Sequence, residues 1–279
     1  MSVLLLVALL AQEKTAEQLI ENLRSESVED RESAARDLKK MGEAARPALE
    51  KAAGDKDREV ATRAQAILDP MDLEAGQAVL NKLEETVLKA KTVKVRFKYE
   101  GRGPKGGVGP ETGSGTLLLK EGGRVRFEIA FSSLEEKHRV TIVSDGTQLA
   151  ASIDFAKPVT KEAPKELHSL FLKGLVRGGL VLMGNRQSTS DPNEFIKTQA
   201  ARSGDGGDEG KTLIYSALLP QTGETADIKL WYNPKSFEAR DRKIVLRKDG
   251  QITASLTETY EEFTLNADIP DEKFKLPEK

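Results

Sequence analysis

The chain closes on Thr257-Glu258-Thr259-Tyr260-Glu261-Glu262-Phe263, followed by Asn266-Ala267-Asp268-Ile269-Pro270-Asp271-Glu272-Lys273-Phe274. The first stretch ends a long strand predicted over Ile252–Thr264. The second holds an Ile-Pro turn and a terminal Phe. Working back from this end, more strands are predicted at Phe195–Ala201, Thr212–Leu219, Asp227–Tyr232 and Glu238–Leu246. Asn233-Pro234 and Asp249-Gly250 supply turns between them, and Ser203–Gly210 reads as a loop.

An earlier set of strands has the same character. Val93, Val95, Phe97 and Tyr99 alternate with Lys94, Arg96 and Lys98, the period of a half-buried strand. Thr116–Lys120, Arg124–Phe131, Arg139–Ser144 and Gln148–Ile153 continue a meander, with Asp145-Gly146 as a hairpin signal. The Gly- and Pro-rich segment Gly101–Gly115 reads as a loop. Between the two strand sets, Leu167, Leu170, Phe171, Leu175 and Val176 sit at helical spacing. Gly178-Gly179 follows, and each glycine inside a helix costs about 1 kcal/mol relative to Ala. A loosened, lid-like segment is expected there.

The N-terminal part is helical. Leu19, Ile20 and Leu23 share one face, and Ala34, Ala35, Leu38 and Met41 another. Asp57-Arg58-Glu59 opens a further helix, which Asp69-Pro70 is expected to break. A new amphipathic helix is predicted over Leu73–Lys91. Asp30–Arg36 is echoed by Asp57–Arg63, and Met41–Leu49 with Asp55–Val60 resembles HEAT repeats. At the start, Val3–Leu10 is too short to span a bilayer and fits a signal-peptide core, with residues 1–11 as the signal. Export to a periplasm-like space is the expectation. The organisation read from sequence is residues 1–11 as signal, 13–70 as HEAT-like helices, and 72–279 as a strand-rich domain. The fold class is α+β, dominated by antiparallel strands.

Composition limits function. The chain has 279 residues, with 43 Lys and Arg against 45 Asp and Glu, a net charge of -2. That balance gives no general pull toward nucleic acid. There is no cysteine, so thiolate chemistry and disulfides are excluded. The two histidines, His138 and His168, have no Gly-x-Ser-x-Gly partner. Gly101-x-Gly103-x-x-Gly106 opens no helix and so makes no dinucleotide site. Gly204–Gly210 has too few carboxylates for calcium. Glu135-Glu136 and Glu261-Glu262 are neighbours in sequence, which in a regular strand places them on opposite faces. No cofactor, metal or enzyme activity is expected.

Taken in order, several short motifs resemble the LolA/LolB lipoprotein-carrier family over about residues 76–277. They are the helix with Leu80, Leu83 and Val87, the strand Val93–Tyr99, and Gly115–Leu119 leading to Arg124–Glu128. Val143–Leu149 with its Asp-Gly turn, Leu230-Trp231-Tyr232-Asn233-Pro234 and the ending Tyr260–Phe274 complete the series. The resemblance implies an incomplete antiparallel barrel wrapped around helices, with an apolar cavity that takes lipid or lipoprotein acyl chains. On that reading Val95, Phe97, Leu117, Leu119, Val125, Phe127, Ile129, Ile228 and Leu230 line the cavity from the sheet. Leu170, Phe171 and Leu175 line it from the helix. The expected role is an exported, non-enzymatic lipid carrier in peripheral contact with membranes. The alternative is a sensor or interaction protein that docks a partner through residues 13–70.

Overall fold

The computed structural model describes residues 14–103, 111–132, 137–154, 156–181, 197–205, 210–220 and 222–277. The expected signal segment and Glu135-Glu136 lie outside them, as does most of the Gly204–Gly210 loop. The chain divides into two compact units, Met1–Leu73 and Glu74–Lys279.

The first unit is a small helical bundle. Helix α1 (Ala16–Asn22) starts at a capping box, in which the Thr15 hydroxyl accepts from Gln18 N and the Gln18 side chain accepts from Thr15 N. Helix α2 (Val28–Met41) is capped by Ser27. A short 3-10 turn (Gly42–Ala45) leads to α3 (Arg46–Ala53), with Pro47 in its first turn where no N–H is needed. Leu19, Leu23, Leu38, Leu49 and Val60 are buried together. The sequence echo falls at the starts of two helices, where Arg31 Nε lies 3.5 Å from Glu59.

Helix α4 (Arg58–Leu88) overturns the expected break at Pro70, which sits inside it. Pro70 has no N–H for the Ala66 carbonyl, a loss worth about 3 kcal/mol in a helix interior. Apolar faces on both sides of the proline outweigh it. Val60, Ala64, Ile67 and Leu68 are buried before it, and Leu80, Leu83 and Val87 after it. Each fully buried aliphatic side chain contributes roughly 1.5–3 kcal/mol.

The second unit is an 11-stranded antiparallel sheet. Its strands are β1 (Thr92–Arg102), β2 (Glu111–Lys120), β3 (Arg124–Ser132), β4 (Lys137–Asp145), β5 (Gln148–Ile153) and β6 (Val159–Glu162). After helix α5 (Leu167–Arg177) come β7 (Lys197–Asp205), β8 (Lys211–Leu219), β9 (Glu224–Tyr232), β10 (Ala239–Lys248) and β11 (Gln251–Leu265). The order is β6-β5-β4-β3-β2-β1-β11-β10-β9-β8-β7. Two meanders are therefore joined where the first strand pairs the last, with Val95 opposite Phe263. The sheet is unclosed among the described residues, with β6 and β7 at its edges. The chain passes from one edge strand to the other by way of α5.

Two readings of the strands need correction. Glu111–Gly115 is strand rather than loop, because aromatic rings take the space its glycines leave. A Cβ on Gly113 would sit 2.5 Å from the Tyr99 ring, and one on Gly115 2.6 Å from the Phe97 ring. Glu261 and Glu262 do not face opposite ways. A bulge at Arg96/Phe97 breaks the alternation, so Glu262 pairs with Lys94 while Glu261 pairs with Arg96 and Lys98 on the same side.

The chain end is fastened as a separate strap. Asn266 N donates to Thr92 O and its side chain accepts from Lys91 N. Asp271 holds both Lys120 and Arg124, and Ile269 and Phe274 are buried.

Gly76 in α4 gives a sharp test of this packing. Helix propensity alone predicts that Gly76→Ala stabilises by about 1 kcal/mol. A Cβ there would lie 2.2 Å from the Ala201 carbonyl oxygen of β7. The steric term should win, and urea denaturation should show a loss of about 1–3 kcal/mol.

Candidate functional site

Period-two alternation puts one set of side chains from every long strand on a common inner face. Val95 and Phe97 come from β1, Leu117 and Leu119 from β2, and Val125, Phe127 and Ile129 from β3. Ile228 and Leu230 come from β9. All are buried in one cluster that also holds Leu170, Phe171 and Leu175 of α5. The Phe127 and Phe171 ring centroids are 5.4 Å apart. The structure thus brings every sequence-predicted site residue together, as packed core. Helix α5 covers them with a nearly continuous apolar surface, its buried residues including Leu167, Leu170, Phe171, Leu172, Gly174, Leu175 and Val176.

Polar groups inside this apolar space fasten the end of α5. Arg242 of β10 and Glu258 of β11 are 1% and 0% exposed. Arg242 Nη2 donates to the carbonyls of Leu175 at 2.6 Å and Val176 at 3.2 Å. The Tyr215 hydroxyl donates to the same Val176 carbonyl at 2.8 Å. The last carbonyls of a helix have no partner within it, and here buried donors from the sheet supply them. Just beyond, Val181 N donates to Glu258 Oε1 at 2.7 Å, and the Tyr260 hydroxyl donates to Glu258 Oε2. Arg242 Nη1 lies 3.7 Å from Glu258, and its guanidinium stands 5.7 Å from the Tyr260 ring centroid.

The glycine pair has a different role from the expected loosening. Helix α5 ends at Arg177, and Gly178 is its cap. Gly179 adopts a φ of 89°, and a Cβ there would meet the Glu258 carboxylate at 2.7 Å. The pair lets the chain turn tightly over the buried carboxylate. At the same helix end, Arg177 bonds Glu84 of α4 at 2.7 Å. The segment is latched, not loose.

Burial sets the titration of this interior. It raises the Tyr215 hydroxyl and raises Tyr260 well above the ordinary phenol range. Both therefore stay protonated donors at neutral pH. On the outward part of α5, burial lowers His168, only partly offset by Glu121. His168 Nε2 is buried with no hydrogen-bond partner among the described residues.

Sequence reasoning missed Arg242, Glu258, Tyr215 and Tyr260. The signal was present in the alternation. Arg242 shares its face with Ile244 and Leu246, and Glu258 shares its face with Tyr260.

A cavity of about 1340 Å³ opens elsewhere, and none of the predicted residues lines it. Its lining includes Lys98, Ser114, Ala130, Arg139 and Thr259, on the outer side of β1–β4 and β11. His138 Nδ1 lies 3.0 Å from Asp154 at its border, and that contact holds the Asp154 carboxyl below its usual range. Among the described residues no group of three or more acidic or His side chains is arranged for a metal. No described helix is long and apolar enough to cross a membrane.

Two predictions test α5 and its latch. Arg242→Met alone should cost about 3–5 kcal/mol, because it strands a buried carboxylate, whereas Arg242→Met with Glu258→Leu should recover most of the loss. Equal damage from the single and double variants would contradict the assignment. The second concerns His168, whose pKa is depressed in the folded state. Stability should be full above about pH 6.5 and fall as the pH drops below it, since the unfolded chain then binds the proton first. Denaturation midpoints of His168→Gln should lose that part of the pH dependence.

No family model matches the chain. No curated protein matches it. Solved structures do. A LolA superfamily protein from Nitrosomonas europaea is 13% identical with a TM-score of 0.34, over 72% of this chain and 97% of that one. LprF from Mycobacterium bovis is 13% identical with a TM-score of 0.37, over 71% and 95%. A putative outer membrane lipoprotein-sorting protein domain from Vibrio parahaemolyticus is 6% identical with a TM-score of 0.31, over 72% and 97%.

Proposed function

We propose that the second unit binds the acyl chain of a lipid or lipoprotein on the inner face of its sheet, and that α5 is the cover that gives way to it. One observation carries this reading. The helix that fills the apolar face is held at its C-terminal end by discrete polar bonds to Arg242, Tyr215 and Glu258. A cover fixed by a few directional bonds has two definable states. In one, α5 contributes the apolar surface over the sheet. In the other, an acyl chain takes that place.

The energetics favour such an exchange. Each methylene moved from water to the apolar face contributes about 0.8 kcal/mol. A long acyl chain therefore replaces much of what α5 supplies through its Leu, Phe and Val side chains. Displacing the helix end frees the Arg242 Nη2 donor, and a ligand's ester or amide carbonyl is a suitable replacement acceptor. No proton transfer or nucleophile is required, and the role is carriage or retention rather than turnover. Export, with residues 1–11 as a signal, is part of the same proposal, since that setting supplies lipid-modified proteins.

Native mass spectrometry of the protein after exposure to a phospholipid extract tests this directly. The expected result is one retained lipid per chain. Tyr215→Phe, which removes one latch bond and little volume, should take up a fluorescent fatty acid faster than the wild type. No retained lipid in either protein would refute the proposal.

A further inference from the structure

The outer face of the same sheet carries a second, chemically opposite feature. Over most of β1–β3 this face is covered by long side chains in ion pairs, such as Lys94 with Glu262 across strands and Arg126 with Glu128 along β3. Toward the other end of these strands the side chains become short. Thr112 stands opposite Ser132, and Ser114 opposite Ala130. On β11, Thr257 and Thr259 stand opposite Glu100 and Lys98 of β1. The result is the trough of about 1340 Å³. Its floor is two registered rows of residues crossing five adjacent strands, β11, β1, β2, β3 and β4. At about 4.8 Å per strand spacing, it is about 19 Å long.

We infer that this trough is a binding site for an acidic saccharide chain. The outward side chains that line it are chiefly hydroxyls and charged groups. The three carboxylates at its edge are already engaged: Glu261 by Lys98 and Arg96, Asp154 by His138, and Glu100 by Arg102. Lys137 and Arg139, both exposed and both lining the trough, have no side-chain partner among the described residues. They lie two apart on β4, so both present their charge on the same side. Threonine and serine hydroxyls on the floor donate and accept, as the hydroxyls of a sugar do.

The geometry separates this class from others. Strands β11, β1, β2 and β3 are paired on both sides under the trough and offer no backbone edge to an extended peptide, while β4 pairs with β5 only from Val140 onward. Tyr99 and Phe131 also line the trough, but they belong to the inward set of β1 and β3 and pack with the core, so the outward floor residues Thr112, Ser114, Ala130 and Thr259 hold no aromatic platform, which a single-stranded nucleic acid would need. An acyl chain there would desolvate the charges of Lys98, Glu100, Lys137 and Arg139, which disfavours it. What remains is a hydroxyl-rich chain that carries carboxylate or phosphate groups spaced to meet Lys137 and Arg139. This inference does not rest on the lipid reading, since it uses the opposite face of the sheet.

The probe is an α-1,4-linked galacturonate tetrasaccharide, titrated calorimetrically into the full chain at low ionic strength, with maltotetraose as the uncharged control. Saturable binding of the galacturonate, at least tenfold tighter than maltotetraose, is expected. Lys137→Gln with Arg139→Gln should weaken it about tenfold or more, the loss expected for hydrogen bonds to charged groups. Ser114→Phe, at an exposed position, should block binding with an unchanged thermal midpoint. No saturable binding would overturn the inference, as would equal affinity for maltotetraose or indifference to these variants. A tetraglutamate peptide binding as tightly would overturn the saccharide assignment.

Discussion

Arg242 and Glu258 form an ion pair inside an apolar interior, and the state of α5 follows from it. Taking two charges out of water costs several kcal/mol for each ion, so such a pair persists only where other bonds satisfy it. Here the helix end and the chain just after it supply part of those bonds, through the carbonyls of Leu175 and Val176 and the N–H of Val181, while Arg242 Nε and Nη1 have no hydrogen-bond partner among the described residues. The dependence is mutual. Without the helix end the pair loses acceptors and a donor, and without the pair the helix end has buried, unmatched carbonyls. Among the described residues the sheet is unclosed, so its inner face requires a cover, and the pair fixes where that cover ends.

Under the proposed function, this arrangement makes the interior a place of exchange rather than an inert core. Nonpolar contacts along α5 are non-directional and are replaced by any chain of similar surface. The polar contacts at its end are directional and break as a set. In the proposed exchange, affinity comes from the face formed by β1–β3 and β8–β10, and gating from four side chains, Arg242, Glu258, Tyr215 and Tyr260. The outer face serves separate chemistry. Cross-strand ion pairs solubilise one part of it, and short hydroxylic side chains open a trough in another.

The strand meanders and the apolar stripes were legible because both rest on local alternation. Val95, Phe97, Leu117 and Phe127 are where the period of two places them. Local rules failed where tertiary contacts decide. Pro70 lies within α4 because apolar faces on both sides of it outweigh one missing hydrogen bond. Gly113 and Gly115 read as loop, yet lie in a strand, because Tyr99 and Phe97 come from a neighbouring strand that the local pattern does not reveal. Glu261 and Glu262 share a face because of a bulge set by pairing with β1. The latch was missed because charged residues on strands are read by default as surface. Arg242 was distinguishable only by sharing its face with Ile244 and Leu246.

The most direct test of the central claim is amide hydrogen exchange across α5 and residues 178–181, with and without bound phospholipid. The account predicts that lipid speeds exchange at the Val181 amide and in the last turn of α5, while β2, β3 and β9 stay protected. Unchanged exchange in α5 with lipid demonstrably bound would contradict it.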